Sequence, residues 1–190
     1  RLIQSYRARG HLISKTNPIR ERKNRKPHLT LADYGLKQDD LNYKSYCGVH
    51  LGLGVASVAE ILAYMEKVYC QSIGYEFMHI NDSDVRRWFR ERIETQKGEI
   101  NFSLDKKKRI LQKLNEASIF ENFLDTKYVG QKRFSLEGGE NTISALDSII
   151  TKSSDLGVEE VVIGMAHRGR LNVLANILGK TYEYIFNEFE

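Results

Sequence analysis

The sequence predicts an α/β chain in which a mostly helical region leads into the first strand–helix unit of a parallel sheet. Three observations carry that expectation. Apolar residues recur at three- and four-residue steps through most of the chain, Val and Ile crowd into one run at Val158–Met165, and that run passes within a few residues into a helical pattern at Leu171–Leu178.

Taken in order, Arg1–Ile13 has a helical rhythm in Leu2, Ile3, Tyr6 and Ala8 that closes near Gly10. Ser14–Gly54 is irregular, broken by both prolines and by repeated Asp, Asn and Gly, with one short helix at Gln38–Asn42. Ser57 with Glu60 has the form of a capping box, and Val58, Ile61, Leu62, Met65 and Val68 follow on one helical face. Asp82 or Ser83 caps a helix over Val85–Ile93, with Val85, Trp88, Phe89 and Ile93 as its buried stripe. Ser103 opens a further helix in which Ile110, Leu111 and Leu114 face inward and Lys106, Lys107, Lys108 and Arg109 face water, and another helix covers Ile119–Tyr128. Asn141 caps a helix carrying Ile143, Leu146, Ile149 and Ile150. These elements divide into 1–54, a helix and irregular connector; 55–156, a helical region; and 157–190, the opening of an α/β domain. No internal repeat is visible.

Composition narrows the function. With 41% hydrophobic and 10% aromatic residues the chain can bury a core, no stretch approaches eighteen uncharged apolar residues, and no signal-type segment opens it. It begins without Met and ends on FNEFE within a helical pattern, so it reads as cut from something longer. Cys47 and Cys70 lie far apart with no CxxC or Cys/His spacing, which suits free thiols in a reducing compartment and no metal site. Lys and Arg, 29 in all, only modestly exceed the 25 Asp and Glu. Arg20, Arg22, Lys23, Arg25 and Lys26 cluster between Pro18 and Pro27 as a solvated loop would; a basic nucleic-acid-binding module is the non-enzyme alternative, but no aromatic interleaving accompanies it.

Chemistry concentrates beyond the end of the expected strand, where α/β sheets bind ligands. There His167, Arg168 and Arg170 crowd around Gly169 beside a helix start whose amides favour anions. Arginine grips carboxylate or phosphate bidentately, and an imidazole can exchange a proton near neutral pH. The alternative is structural, with Arg168 or Arg170 pairing with a helix end or carboxylate and His167 an ordinary loop residue. A second candidate is KRFSLEGGE, Lys132–Glu140, whose cations, hydroxyl, carboxylates and glycine pair suit either a ligand loop or a plain connector. Glu76 and His79 could form a base and its orienter, or a buried structural pair. GLGVAS at Gly52–Ser57 lacks the third glycine and a preceding strand, so it is no dinucleotide loop. Nucleophile elbows, P-loops, HExxH and calcium loops are absent.

These residues carry a resemblance. YRARGHL (Tyr6–Leu12), YCQSIGYEFMHI (Tyr69–Ile80), RRWFRERIE (Arg86–Glu94), TKYVGQKRFSLEGGE (Thr126–Glu140) and VEEVVIGMAHRGRLNVLANILGK (Val158–Lys180) resemble, in order, the E1 component of the 2-oxoglutarate dehydrogenase complex. The resemblance implies a thiamine diphosphate-binding, transketolase-like fold, with this chain its helical N-terminal region and first strand–helix unit. It implies oxidative decarboxylation of 2-oxoglutarate on thiamine diphosphate and Mg2+ in the tricarboxylic acid cycle, with succinyl transfer to the lipoyl group of the E2 component, dihydrolipoyl succinyltransferase. It also implies a homodimer, no nucleic-acid or membrane partner, and a bacterial cytoplasm or a mitochondrial matrix. By position, His167 matches the active-centre histidine that handles substrate, and Arg168 the arginine that reaches cofactor and substrate carboxylate. Ser135 and Glu137 match a loop lying behind them. The family's Mg2+-binding pattern and its later active-site residues do not occur in this sequence, which implies that the chain alone is inactive. Relatives acting on 2-oxoadipate, or decarboxylating 2-oxoglutarate without oxidation, share the same opening blocks.

Overall fold

Helices form where the apolar steps place them, and almost all regular structure in the computed structural model is helical. The structure describes residues 1–23, 25–99, 101–187 and 189. They form two units, Arg1–Asn101 and Phe102–Glu190.

In the first unit, helix α1 spans Leu2–Arg9, α2 Val58–Tyr69 and α3 Ser83–Thr95. The connector holds short 3-10 turns, including the expected one at Gln38–Asn42, and a strand pair not anticipated from sequence: β1 (Lys44–Ser45) runs antiparallel to β2 (Ala56–Ser57). At α2 the capping box is formed as read. The Glu60 amide donates to Ser57 Oγ at 3.2 Å, and the Ser57 amide to Glu60 Oε2 at 2.7 Å. Tyr6, Ile61, Met65, Val68, Tyr69, Phe77 and Ile93 make the core. Gly10 lets α1 close on α2, since a Cβ there would lie 2.7 Å from that of Tyr69. One charged pair enters this core. Arg7 grips Glu94 through two hydrogen bonds of 2.7 and 3.0 Å, and Tyr69 donates to the same carboxylate at 2.9 Å, so the buried charges are satisfied. Arg22, from the basic cluster, donates to the Ser14 carbonyl and to Thr16 Oγ1, which makes it a strap for the connector. Cys47 is exposed, Cys70 is buried, and both are free.

The expected stripe on α3 is corrected: Ile93 is buried, but Val85, Phe89 and Trp88, the last 58% exposed, lie open. Within this unit α3 is buried at Ile93 and Glu94 near its C-terminal end, while its first turns are held at their edge, by Arg86 donating to the Ile80 carbonyl at 2.7 Å and by Phe89 stacking on Phe77.

The second unit is built on α4, Leu104–Lys127, one helix where two were expected, because no Gly or Pro interrupts the sequence between them. Its inward face is Lys113, Ala117, Phe120, Glu121 and Leu124, while Leu111 is exposed. Helix α5 spans Asn141–Asp155, α6 Arg170–Asn176 and α7 Tyr182–Phe186. Asn141 is the first residue of α5 rather than its cap, and no side chain caps that helix. Ile143 is buried, whereas Ile149 is exposed. Arg109 and Asp147 join α4 to α5 by hydrogen bonds of 3.1 and 2.7 Å. Ala117, Leu136, Ile143 and Val173 form one apolar cluster, and Phe120, Leu124, Leu171 and Ile185 another.

The run Val158–Met165 is not a strand in this structure. A parallel strand needs neighbours for its amides and carbonyls, and the only ladder among the described residues is β1–β2. Val158, Val161, Val162 and Met165 are consequently exposed, Val162 to 92%. The described chain is thus mostly helical with one small antiparallel pair, and the parallel sheet is not formed within it.

Candidate functional site

Two segments of the second unit meet here, the loop Lys132–Glu140 and the turn Ala166–Arg170. The contact begins at the backbone: the Gly169 amide donates to the Phe134 carbonyl at 2.6 Å. Gly169 has a φ of 78°, in the left-handed region, and an added Cβ would sit 2.5 Å from Leu136 Cδ1. Only glycine meets both demands. Phe134 also holds a left-handed φ, of 51°, unusual for an aromatic residue and suggestive of a constrained loop.

On this frame the side chains interlock. The His167 imidazole stacks on the Phe134 ring, with centroids 5.0 Å apart and planes at 26°. The Arg170 guanidinium carbon stands 4.9 Å from the centre of the same ring, a cation–π contact. Arg168 donates through one terminal nitrogen to the Glu137 carbonyl at 2.6 Å. His167 and Arg168 are both exposed, while Gly169 beneath them is buried. The turn therefore presents an imidazole and a guanidinium side by side, each fixed by the facing loop, with the remaining guanidinium N–H groups available in number for an anion.

The loop residues play supporting parts. Ser135 Oγ accepts from the Glu137 amide at 3.1 Å, closing a local turn, and Glu137 contributes its carbonyl to Arg168. Glu140 Oε1 accepts from the Gly138 amide at 2.9 Å. Hydrogen bonds from its own amide and that of Gly138 hold the Glu140 carboxyl below the usual carboxylate range, and the charge of Arg168 adds to the effect. Beneath the loop, Glu121 of α4 accepts from the Leu136 amide at 3.1 Å and from Asn172 Nδ2 at 2.9 Å.

Sequence reasoning located His167, Arg168, Ser135 and Glu137, and the structure brings all four within this one contact. It missed Phe134, whose only signal was an aromatic among cations in a glycine-bearing loop, and Glu121, which carried no signal beyond a helical position. The anion-favouring amides at the helix start are partly consumed: Gly169 serves Phe134, and the Arg170 amide donates to the His167 carbonyl at 3.0 Å. The charge of the guanidinium is left as the main attraction. Glu76 and His79 lie in the first unit, both exposed, and the Glu76 carboxylate stands 3.9 Å from His11 Nε2. A base and its orienter are not what this arrangement shows. Among the described residues, no three His, Cys, Asp or Glu side chains converge as a metal set, and no helix is long and apolar enough to cross a membrane.

No protein-family model matches the chain. It is 45% identical over 191 residues to proteins named 2-oxoglutarate dehydrogenase E1 component from Brucella canis, Brucella suis and Brucella melitensis. The match covers 100% of this chain and 19% of each relative, so the chain spans about a fifth of the length of the curated relatives it matches.

Proposed function

The chain belongs to the 2-oxoglutarate dehydrogenase E1 component family, and from that premise we propose that its His167–Arg168 turn is one wall of the site at which the whole protein decarboxylates 2-oxoglutarate. The observation that carries the proposal is the exposed imidazole and guanidinium, held side by side by Phe134 and the Glu137 carbonyl. A 2-oxo dicarboxylic acid presents two carboxylates to be gripped, and Arg168 keeps N–H groups directed by one anchored nitrogen. His167, stacked flat on Phe134, is restricted in ring orientation, as a side chain that hydrogen-bonds a substrate oxygen must be.

Thiamine diphosphate and Mg2+ are the proposed cofactors, and bound thiamine supplies the carbanion-stabilising centre that loss of carbon dioxide requires. The turn suits the anionic part of that cofactor or the substrate through Arg168. The metal ligands would come from residues beyond this sequence. In keeping with this reading, we propose that 157–190 opens the transketolase-like diphosphate-binding domain, with 1–54 and 55–156 as the connector and helical regions before it. The whole protein would act as a homodimer that passes its succinyl group to the lipoyl arm of dihydrolipoyl succinyltransferase in a bacterial cytoplasm.

Steady-state kinetics of the full-length protein test the site. Arg168→Ala should weaken substrate or cofactor half-saturation by about 10- to 100-fold, the worth of a charge-assisted hydrogen bond. His167→Ala should lower turnover of 2-oxoglutarate while cofactor half-saturation holds. Wild-type kinetics in both variants would refute the site. A panel including 2-oxoadipate identifies the substrate, and preference for the longer acid would overturn the assignment to 2-oxoglutarate.

A further inference from the structure

Deeper than the turn lies a carboxylate that touches both of its walls. Glu121 is 3% exposed, on the face of α4 that packs against Leu136 and Asn172, and these are themselves 5% and 0% exposed. Its Oε1 accepts from the Leu136 amide in the SLEG stretch (Ser135–Gly138) of the Lys132–Glu140 loop, called the SLEG loop below, and from Asn172 Nδ2 in the first turn of α6. Asn172 is tied further, donating to the Ala117 carbonyl at 3.0 Å and accepting from Asn176 Nδ2 at 2.7 Å. One oxygen thus joins the loop that carries Phe134 and Glu137 to the helix that follows His167 and Arg168.

A buried carboxylate is a costly way to fill this space. Ala117, Leu136, Ile143 and Val173 form the apolar cluster beside it, and an apolar side chain would avoid desolvation of a charge. The second oxygen, Oε2, is buried without a hydrogen-bond partner among the described residues, so the cost is only partly recovered. What an apolar side chain could not supply is a single acceptor shared by the Leu136 amide and the Asn172 carboxamide, on opposite sides of the site. One turn further along the same helix face, Asp125 pairs with Arg133 of the same loop, so α4 holds the loop at two points.

Resting on the functional reading above, we propose that Glu121 is a positioning residue that sets the register between the SLEG loop and the His167–Arg168 turn. Leu136 is flanked by Ser135 and by Glu137, whose carbonyl anchors Arg168. If the Leu136 amide loses its acceptor, that carbonyl shifts and the guanidinium loses its fixed direction. A displacement of this kind weakens substrate engagement.

The test is made in the full-length enzyme with Glu121→Ala, Glu121→Gln, Asn172→Ala, Arg168→Ala and the Glu121→Ala/Arg168→Ala double variant. Glu121→Ala and Asn172→Ala should each raise KM for 2-oxoglutarate by about tenfold. The carboxamide of Glu121→Gln keeps an acceptor oxygen and should restore KM to near the wild-type value. Hydrogen exchange at the Leu136 amide should quicken in Glu121→Ala and not in Glu121→Gln. In the double variant the loss should not exceed that of Arg168→Ala alone, because both act through one guanidinium. A lowered Tm with wild-type KM and kcat in Glu121→Ala would make the residue structural only and overturn the proposal. Should Glu121→Ala fail to fold, Asn172→Ala decides by the same criterion. Impaired Arg168→Ala beside wild-type Asn172→Ala rejects positioning alone, whereas wild-type Arg168→Ala rejects the site itself.

Discussion

Gly169 concentrates the demands of the site in one residue. Its φ of 78° and the 2.5 Å approach of Leu136 Cδ1 to a Cβ position leave no room for a side chain. Gly169→Ala should therefore cost about 1 to 3 kcal/mol of stability and also weaken 2-oxoglutarate binding, because the displaced turn carries Arg168. Thermal unfolding and KM measured on the same preparation check both effects; an unchanged Tm would show that the turn relaxes freely. Residue types were legible in the sequence here: a histidine and two arginines around a glycine announce an anion-seeking turn whatever the fold. The partners were not. Phe134 and Glu121 come from positions 33 and 46 residues upstream of His167, and no local pattern announces a contact made through tertiary folding.

Among elements, α4 and α5 show how far local chemistry reaches. Arg109 hydrogen-bonds Asp147 across the two helices and holds the Asp147 carboxyl below its ordinary range. A carboxyl whose folded pKa is depressed contributes stability that is fully present above the unfolded value, about 3.9, and is lost as pH falls through the lower folded value. Asp147→Asn should thus lower Tm at neutral pH and flatten its decline below about pH 4. Tm curves from pH 7 down to acid test this, and parallel curves for variant and wild type would exclude the pair as a source of acid sensitivity. The capping box at Ser57 was readable because its partners lie three residues apart. The merger of two expected helices into α4 was not, since the apolar pattern shifts from Leu111 and Leu114 to Ala117, Phe120 and Leu124 without any breaker to mark or deny a boundary. The exposed stripe of Val85, Trp88 and Phe89 shows the same limit from the other side: amphipathicity states which face seeks cover, not whether the chain provides it.

For the molecule as a whole, helical content was legible because each helix satisfies its own backbone, whereas a sheet depends on strands distant in sequence. The Val158–Met165 run has strand composition but no ladder, and most of its side chains, Ile163 excepted, stand in water. This has a consequence for the chain in the test tube. A Val- and Ile-rich, Pro-free stretch with no ladder partner among the described residues is a template for other copies of itself, and within it Glu159 and Glu160 are the charges placed to discourage stacking. The 190-residue chain should show concentration-dependent light scattering and thioflavin binding. Val162→Lys, at a position already open to solvent, should suppress both without moving Tm; scattering that persists unchanged would place the sticky surface elsewhere. Colloidal behaviour, rather than folding, would then set the concentration at which this polypeptide can be handled, and a gatekeeper charge at position 162 is the simplest way to raise it.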